Sequence, residues 1–156
     1  MNKINHLNSK GEAHMVNVGE KEISKRCAIA EGYVRVSEAT IKKIKKNNLP
    51  KGDLFGTARL AGIMAAKKTS ELIPLCHSLP ISHAKIDIKL IKNDIYVLST
   101  IKCHGKTGVE MEALTAVSVS CLTIYDMLKG LDKSAFISNI QLLEKSGGKS
   151  GDWKRK

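Results

Sequence analysis

Between residues 85 and 103 the chain alternates apolar and polar side chains along two runs joined at Asn93-Asp94. Lys85-Ile86-Asp87-Ile88-Lys89-Leu90 has the period of two expected of a half-buried strand, and residues 95–103 return beside it. The segments on either side have a different period. Residues 53–68 open on Asp53, a good helix N-cap, and carry Leu54, Ala58, Ala61 and Ala65 at helical spacing. Gly56 and Gly62 lower the helix propensity there, which points to close packing against a neighbour. Residues 110–129 read as the longest helix, with Leu114, Val117, Leu122 and Tyr125 spaced to bury one face.

The remaining segments complete a pattern. Residues 26–36 alternate loosely and suggest a strand. Ser37 opens a short helix through Lys46, with Glu38 suited to the helix dipole at its start. Asn47-Asn48-Leu49-Pro50 ends that helix. Residues 136–144 form a last strand. Apart from the short helix, the order is strand, helix, strand, strand, helix, strand. That is the ferredoxin-like split β-α-β arrangement, an α+β fold with an antiparallel sheet and two long helices on one face. The opposite face needs cover, which points to oligomerisation. The expectation is one domain over residues 1–156, with a partly ordered arm at 1–25 and a flexible tail at 146–156.

Composition narrows the functions. A hydrophobic share of 42% supplies a core. No apolar run approaches the roughly 20 residues of a membrane span. The N-terminus lacks an apolar leader, so the chain reads as cytoplasmic. The four cysteines form no C-x-x-C pair and no disulfide framework, and Cys27 and Cys121 read as buried thiols. A net charge of +11 invites nucleic acid. Against this stand aromatics of only 4% and lysines spread along the chain, with Lys42-Lys43-Ile44-Lys45-Lys46 reading as a solvated helix face. An anionic small substrate accounts for the charge equally well.

Short motifs add little alone. Gly105-Lys106-Thr107 and Gly148-Lys149-Ser150 lack the glycine five residues earlier that a P-loop requires, since Thr100 and Leu143 stand there. Their backbone amides could still cradle a phosphate. Cys76-His77 and Cys103-His104 raise zinc, but adjacent residues on a strand face opposite ways, and the expectation is no metal site. His77 sits in Leu75-Cys76-His77-Ser78-Leu79, braced by Pro74 and Pro80. Glu110, Glu112, Asp126 and Lys129 are ordinary charge complements at the ends of a helix.

Longer stretches carry a resemblance. KGDLFGTARLAGIMAAKKTSELIPLCHSLP (residues 51–80), GKTGVEMEALTAVSVSCLTIYDMLK (105–129), LEKSGGKSGD (143–152) and Gly11-Glu12-Ala13-His14-Met15-Val16 closely resemble the MoaC family of cyclic pyranopterin monophosphate synthases. The resemblance covers nearly the whole chain, with its motifs in order. It implies a ferredoxin-like fold and a hexamer, a trimer of dimers, with sites at subunit interfaces. The implied reaction converts 3',8-cyclo-7,8-dihydroguanosine triphosphate to cyclic pyranopterin monophosphate and diphosphate in molybdenum cofactor biosynthesis. The resemblance makes Asp126, Lys51 and Lys129 catalytic, and Leu75, Cys76, His77, Met111 and Glu112 substrate-binding. Lys67, Lys145 and Lys149 are weaker candidates for the triphosphate. No cofactor is required, and magnesium could accompany the triphosphate. Asn17 stands where the family has Asp, and Ser78 replaces a common proline. The alternative is an inactive nucleotide holder or a basic nucleic-acid binder.

Overall fold

The computed structural model describes residues 7–47, 49–149 and 151–156. The parts of the expected arm at residues 1–6, of the helix-ending segment at Asn48 and of the tail at Ser150 lie outside the described residues. The elements are β1 (Ser24–Arg35), α1 (Glu38–Lys45), α2 (Leu54–Lys67), α3 (Thr69–Leu72), β2 (Ile81–Ile91), β3 (Asp94–Gly105), α4 (Glu110–Leu128), β4 (Phe136–Ser146) and β5 (Trp153–Lys154). Every neighbouring pair in the sheet is antiparallel, in the order β2-β3-β1-β4-β5. Strands β1 and β3 occupy the centre, as the split β-α-β arrangement requires.

Side-chain parity sets the core. Ala28, Ala30 and Val34 of β1 and Ile95, Val97 and Ile101 of β3 are fully buried on the face that carries the helices. Ala113, Ala116, Val117, Cys121 and Ile124 of α4 pack over them, also fully buried. Ser37 and Asp53 cap α1 and α2 through their side chains, accepting from Thr40 N and Gly56 N. At Gly62 the helices α2 and α4 approach closely. A Cβ there would overlap Ser120 Oγ and come within 3.0 Å of the Ala116 carbonyl. Ser120 spans the same seam, donating to Ala58 O at 3.0 Å.

Several expectations need correcting. Gly56 faces its own cap, Asp53, rather than a neighbouring element. Leu122 is 58% exposed on the outer side of α4, because the core already takes the stripe through Val117, Cys121 and Ile124. Cys121 is buried, but Cys27 is only half-buried, since it faces away from the helices. The hairpin turn uses Lys92 at φ 54, and β2 begins at Ile81 rather than at residue 85. The tail is not simply flexible. Residues 153–154 pair with Glu144 and Lys145 of β4 and fold the glycine-rich segment back on itself. Contrary to the reading of the sequence, α4 is long and apolar enough to span a membrane by length and composition alone. Yet 56% of that stretch is buried inside the fold, as a core helix must be.

The face of the sheet opposite the helices carries Ile29, Glu31 and Tyr33 from β1. Glu31 accepts from Gln141 Nε2 at 2.7 Å and from the Tyr33 hydroxyl at 3.3 Å. No described helix covers it.

Candidate active site

Two cavities share a wall at the N-terminal end of α4. The smaller, about 320 Å³, is lined by Leu75, Cys76, His77 and Leu79 from the turn after α3. Thr107 and Gly108 of the loop before α4 and Glu110, Met111 and Glu112 of its first turn complete one side. The N-terminal arm supplies Val16, Val18 and Lys21 as the other. His77 ties the arm down through Nε2, 2.8 Å from the Val16 carbonyl. Asn17, in the place of the resemblance's Asp, caps the next turn by accepting from Gly19 N at 2.8 Å.

The chemistry of this pocket follows from burial. Glu112 is 4% exposed, and desolvation pushes its carboxyl up from the ordinary range, with Glu110 adding to the shift and its own backbone amide opposing it. Cys76 is likewise pushed up by burial and then by Glu112. A thiol held neutral is a poor nucleophile. The pocket is thus a slot whose lining mixes apolar side chains (Leu75, Leu79, Met111) with polar ones and one buried carboxyl, suited to a flat ring that offers N–H groups.

The larger cavity, about 610 Å³, is a bowl that shares Lys21, Thr107, Gly108 and Glu110 with the slot. Its other basic residues are Arg26, Lys106, Lys145 and Lys149. The two glycine-rich segments singled out in the sequence, 105–107 and 148–150, contribute to its facing walls, which are Lys106, Thr107 and Gly108 on one side and Gly147, Gly148 and Lys149 on the other. Lys145 Nζ lies 3.1 Å from Glu110, an ion pair with both side chains about one-third exposed. Five cationic side chains against two carboxylates, Glu22 and Glu110, leave the concavity net positive and suited to an anion.

The third group lies at the far end of α4. Asp126 accepts from Lys129 at 2.7 Å and from Lys51 at 2.9 Å, and Lys51 also donates to the Asp126 carbonyl at 2.9 Å. The hydrogen bond from Lys129 and then that from Lys51 hold the Asp126 carboxyl down at about 2. Asp126 in turn raises Lys129.

Leu75, Cys76, His77, Met111 and Glu112 converge in one slot. Lys51, Asp126 and Lys129 converge in one cluster. The two groups do not converge with each other. Glu112 and Asp126 both lie within α4, fourteen positions apart, which is about 21 Å at 1.5 Å per residue. Lys145 and Lys149 line the bowl, whereas Lys67 ends α2 and lines neither cavity. Sequence reasoning missed Lys21, Arg26 and Lys106, and took Glu110 only as a dipole complement. The signal was the pair of glycine-rich segments, weak until the fold brought them together. Among the described residues no three His, Cys, Asp or Glu side chains gather as a metal set.

Known proteins match along this whole frame. A family model described as the MoaC family matches residues 15–148. The cyclic pyranopterin monophosphate synthase of Novosphingobium aromaticivorans is 53% identical over 99% of this chain and 98% of its own length. The synthase of Clostridium botulinum is 54% identical over 97% of each. That of Chloroflexus aurantiacus is 51% identical over 99% of this chain and 96% of its own. The matched region runs from the arm that meets His77 to the glycines that close the basic bowl, and the chain therefore belongs to the MoaC family.

Proposed function

We propose that this chain is a lyase of molybdenum cofactor biosynthesis that converts 3',8-cyclo-7,8-dihydroguanosine triphosphate to cyclic pyranopterin monophosphate, releasing diphosphate. The observation that carries the reading is the continuity of the slot and the bowl through Lys21, Thr107, Gly108 and Glu110. A guanine-derived ring fits the slot between Leu75 and Met111, where Glu112 accepts from ring N–H groups. The triphosphate extends into the bowl towards Lys21, Lys145 and Lys149. Closing the cyclic phosphate forms a bond from a sugar-derived oxygen to the α-phosphorus and breaks the bond to the diphosphate. Cations around the leaving group lower that barrier.

Ring opening and closing also require proton transfers, which suits Asp126, Lys51 and Lys129. A carboxyl near 2 is a weak base at neutral pH, so Asp126 gains basicity only when its lysines turn to the substrate's phosphates. Since α4 separates this cluster from the slot, a second copy must supply it. The apolar outer side of α2 and α4, with Leu60, Met64 and Leu122 each more than half exposed, is the surface on which that copy would pack. The full reading is a homo-oligomer, a hexamer built as a trimer of dimers, with each site shared between copies. A guanosine nucleotide substrate goes with a cytoplasmic protein, and magnesium, where used, arrives with the triphosphate rather than as a resident cofactor.

The test is direct. Purified protein mixed with the cyclised GTP intermediate should yield the pyranopterin and diphosphate in equal amounts. Absence of both products with a folded protein and authentic substrate defeats the reading.

A further inference from the structure

Arg26 is the cation of the bowl most deeply tied into the chain. It is half-buried near the start of β1, on the helix-bearing face. Its Nη1 donates to the Gly147 carbonyl at 3.0 Å, and longer bonds of 3.4 Å run from Nε to Gly105 O and from Nη2 to Lys106 O. One planar fork therefore spans both glycine-rich walls. Three of its five N–H donors go to backbone carbonyls.

The glycines fit around it. Gly147 at φ 93 and Gly148 at φ 82 adopt the left-handed region that side chains rarely enter. A Cβ at Gly147 would overlap the Lys25 carbonyl, and one at Gly148 would overlap the Arg26 guanidinium. The second wall is fastened separately, since Lys106 Nζ reaches the Gly19 carbonyl of the arm. Asp152 accepts from Gly147 N at 3.1 Å, and the backbone of Arg155 donates to Leu143 O, so the tail holds the 147–149 turn from behind.

We propose that Arg26 is a positioning residue: its guanidinium staples residues 105–108 to residues 147–149, so that Lys149 and the loop amides face one phosphate group rather than splaying apart. This rests on the reading of the bowl as the phosphate-holding part of the site. Charge alone does not perform this task. A lysine keeps the charge but presents a single ammonium, which cannot reach three carbonyls on two loops.

The experiment compares Arg26→Lys and Arg26→Gln with the full-length wild type, using inorganic diphosphate as the probe. Calorimetry should show Kd for diphosphate raised by about tenfold in both variants, or ~1.4 kcal/mol. Amide hydrogen exchange at 105–108 and 147–149 should accelerate in both, without ligand. Gly148→Ala, which displaces the guanidinium while leaving its charge, should repeat both effects and combine less than additively with Arg26→Gln. If Arg26→Lys binds diphosphate like wild type while Arg26→Gln does not, Arg26 is a direct ligand and the proposal fails. Unchanged loop exchange in both Arg26 variants also overturns it. A wild type that binds no diphosphate removes the phosphate reading of the bowl, and the positioning role with it. Slow turnover with intact diphosphate binding and loop exchange would instead fault the proposed reaction.

Discussion

Asp126 illustrates how one side chain's environment restricts its role. Two lysines hold its carboxyl at about 2, so it is fully ionised in the free protein at neutral pH. The folded value is depressed, so the ion cluster's contribution is complete above the ordinary carboxylate range near 3.9 and disappears as pH falls through about 2. In Lys129→Ala the Asp126 midpoint, followed by NMR, should rise towards the ordinary value. Asp126→Asn should fold normally, because the side chain is about half exposed, yet lose product formation by roughly 10²–10⁴-fold. Near-normal turnover would remove it from the catalytic set. Glu112 shows the opposite shift. Burial favours its neutral form, so the strain of ionising it is absent at low pH and grows as pH rises through the raised folded value. Glu112→Gln should accordingly melt above wild type at neutral pH, with the gap closing below about pH 4.3, and bind substrate more weakly. A variant that melts lower at neutral pH would contradict the burial argument. For Cys76, a thiol kept neutral beside a buried carboxyl argues against covalent catalysis. Cys76→Ala should retain most activity, whereas Cys76→Asp, which adds a second carboxylate to the slot, should not.

At the scale of elements, α4 is both the centre of the core and the ruler of the site. Its seam with α2 depends on Gly62, where an added methyl meets Ser120 and a main-chain carbonyl. Overpacking of this kind costs about 1–3 kcal/mol, so Gly62→Ala should lower Tm by several degrees. Gly130, just past the end of α4, has open space around its Cβ position. Gly130→Ala should leave Tm unchanged or raise it slightly, by about 0.4–1 kcal/mol in stability. Equal melting of the two variants would show that the close approach at Gly62 is not confining. The loops are set by a different logic. Residues 106–108 follow β3 and residues 147–149 follow β4, and the antiparallel pairing of both strands with β1 brings their ends together beside Arg26.

For the whole molecule, the decisive fact is the length of α4. One chain carries the slot around Glu112 at one end and an ionised aspartate between two lysines at the other, about 21 Å apart. Mixed oligomers of Asp126→Asn and Glu112→Gln subunits should therefore recover a fraction of wild-type activity, because some shared sites inherit both intact residues. No recovery despite proven subunit exchange would mean that each site is built from one chain.

Much of this was legible in the sequence. Period-two runs, helical spacing and the caps Ser37 and Asp53 identified the elements, because those signals depend on local geometry that the backbone repeats. The order of elements then left few ways to pair the strands. The slot residues were legible only through long stretches resembling a family, since a leucine, a cysteine and a histidine in a turn have no periodic signature. Other features waited for the tertiary structure. Leu122 fits the helical stripe by spacing, yet points outward because Val117, Cys121 and Ile124 already fill the side facing the sheet. The tail's glycines read as flexible, but β5 pairs with β4 and makes them a wall. Arg26 was one basic residue among many, because its partners are three carbonyls from segments some 80 and 120 positions away. Local chemistry determined which elements form; long-range packing alone decided which side chains line the slot and the bowl and which hold their walls together.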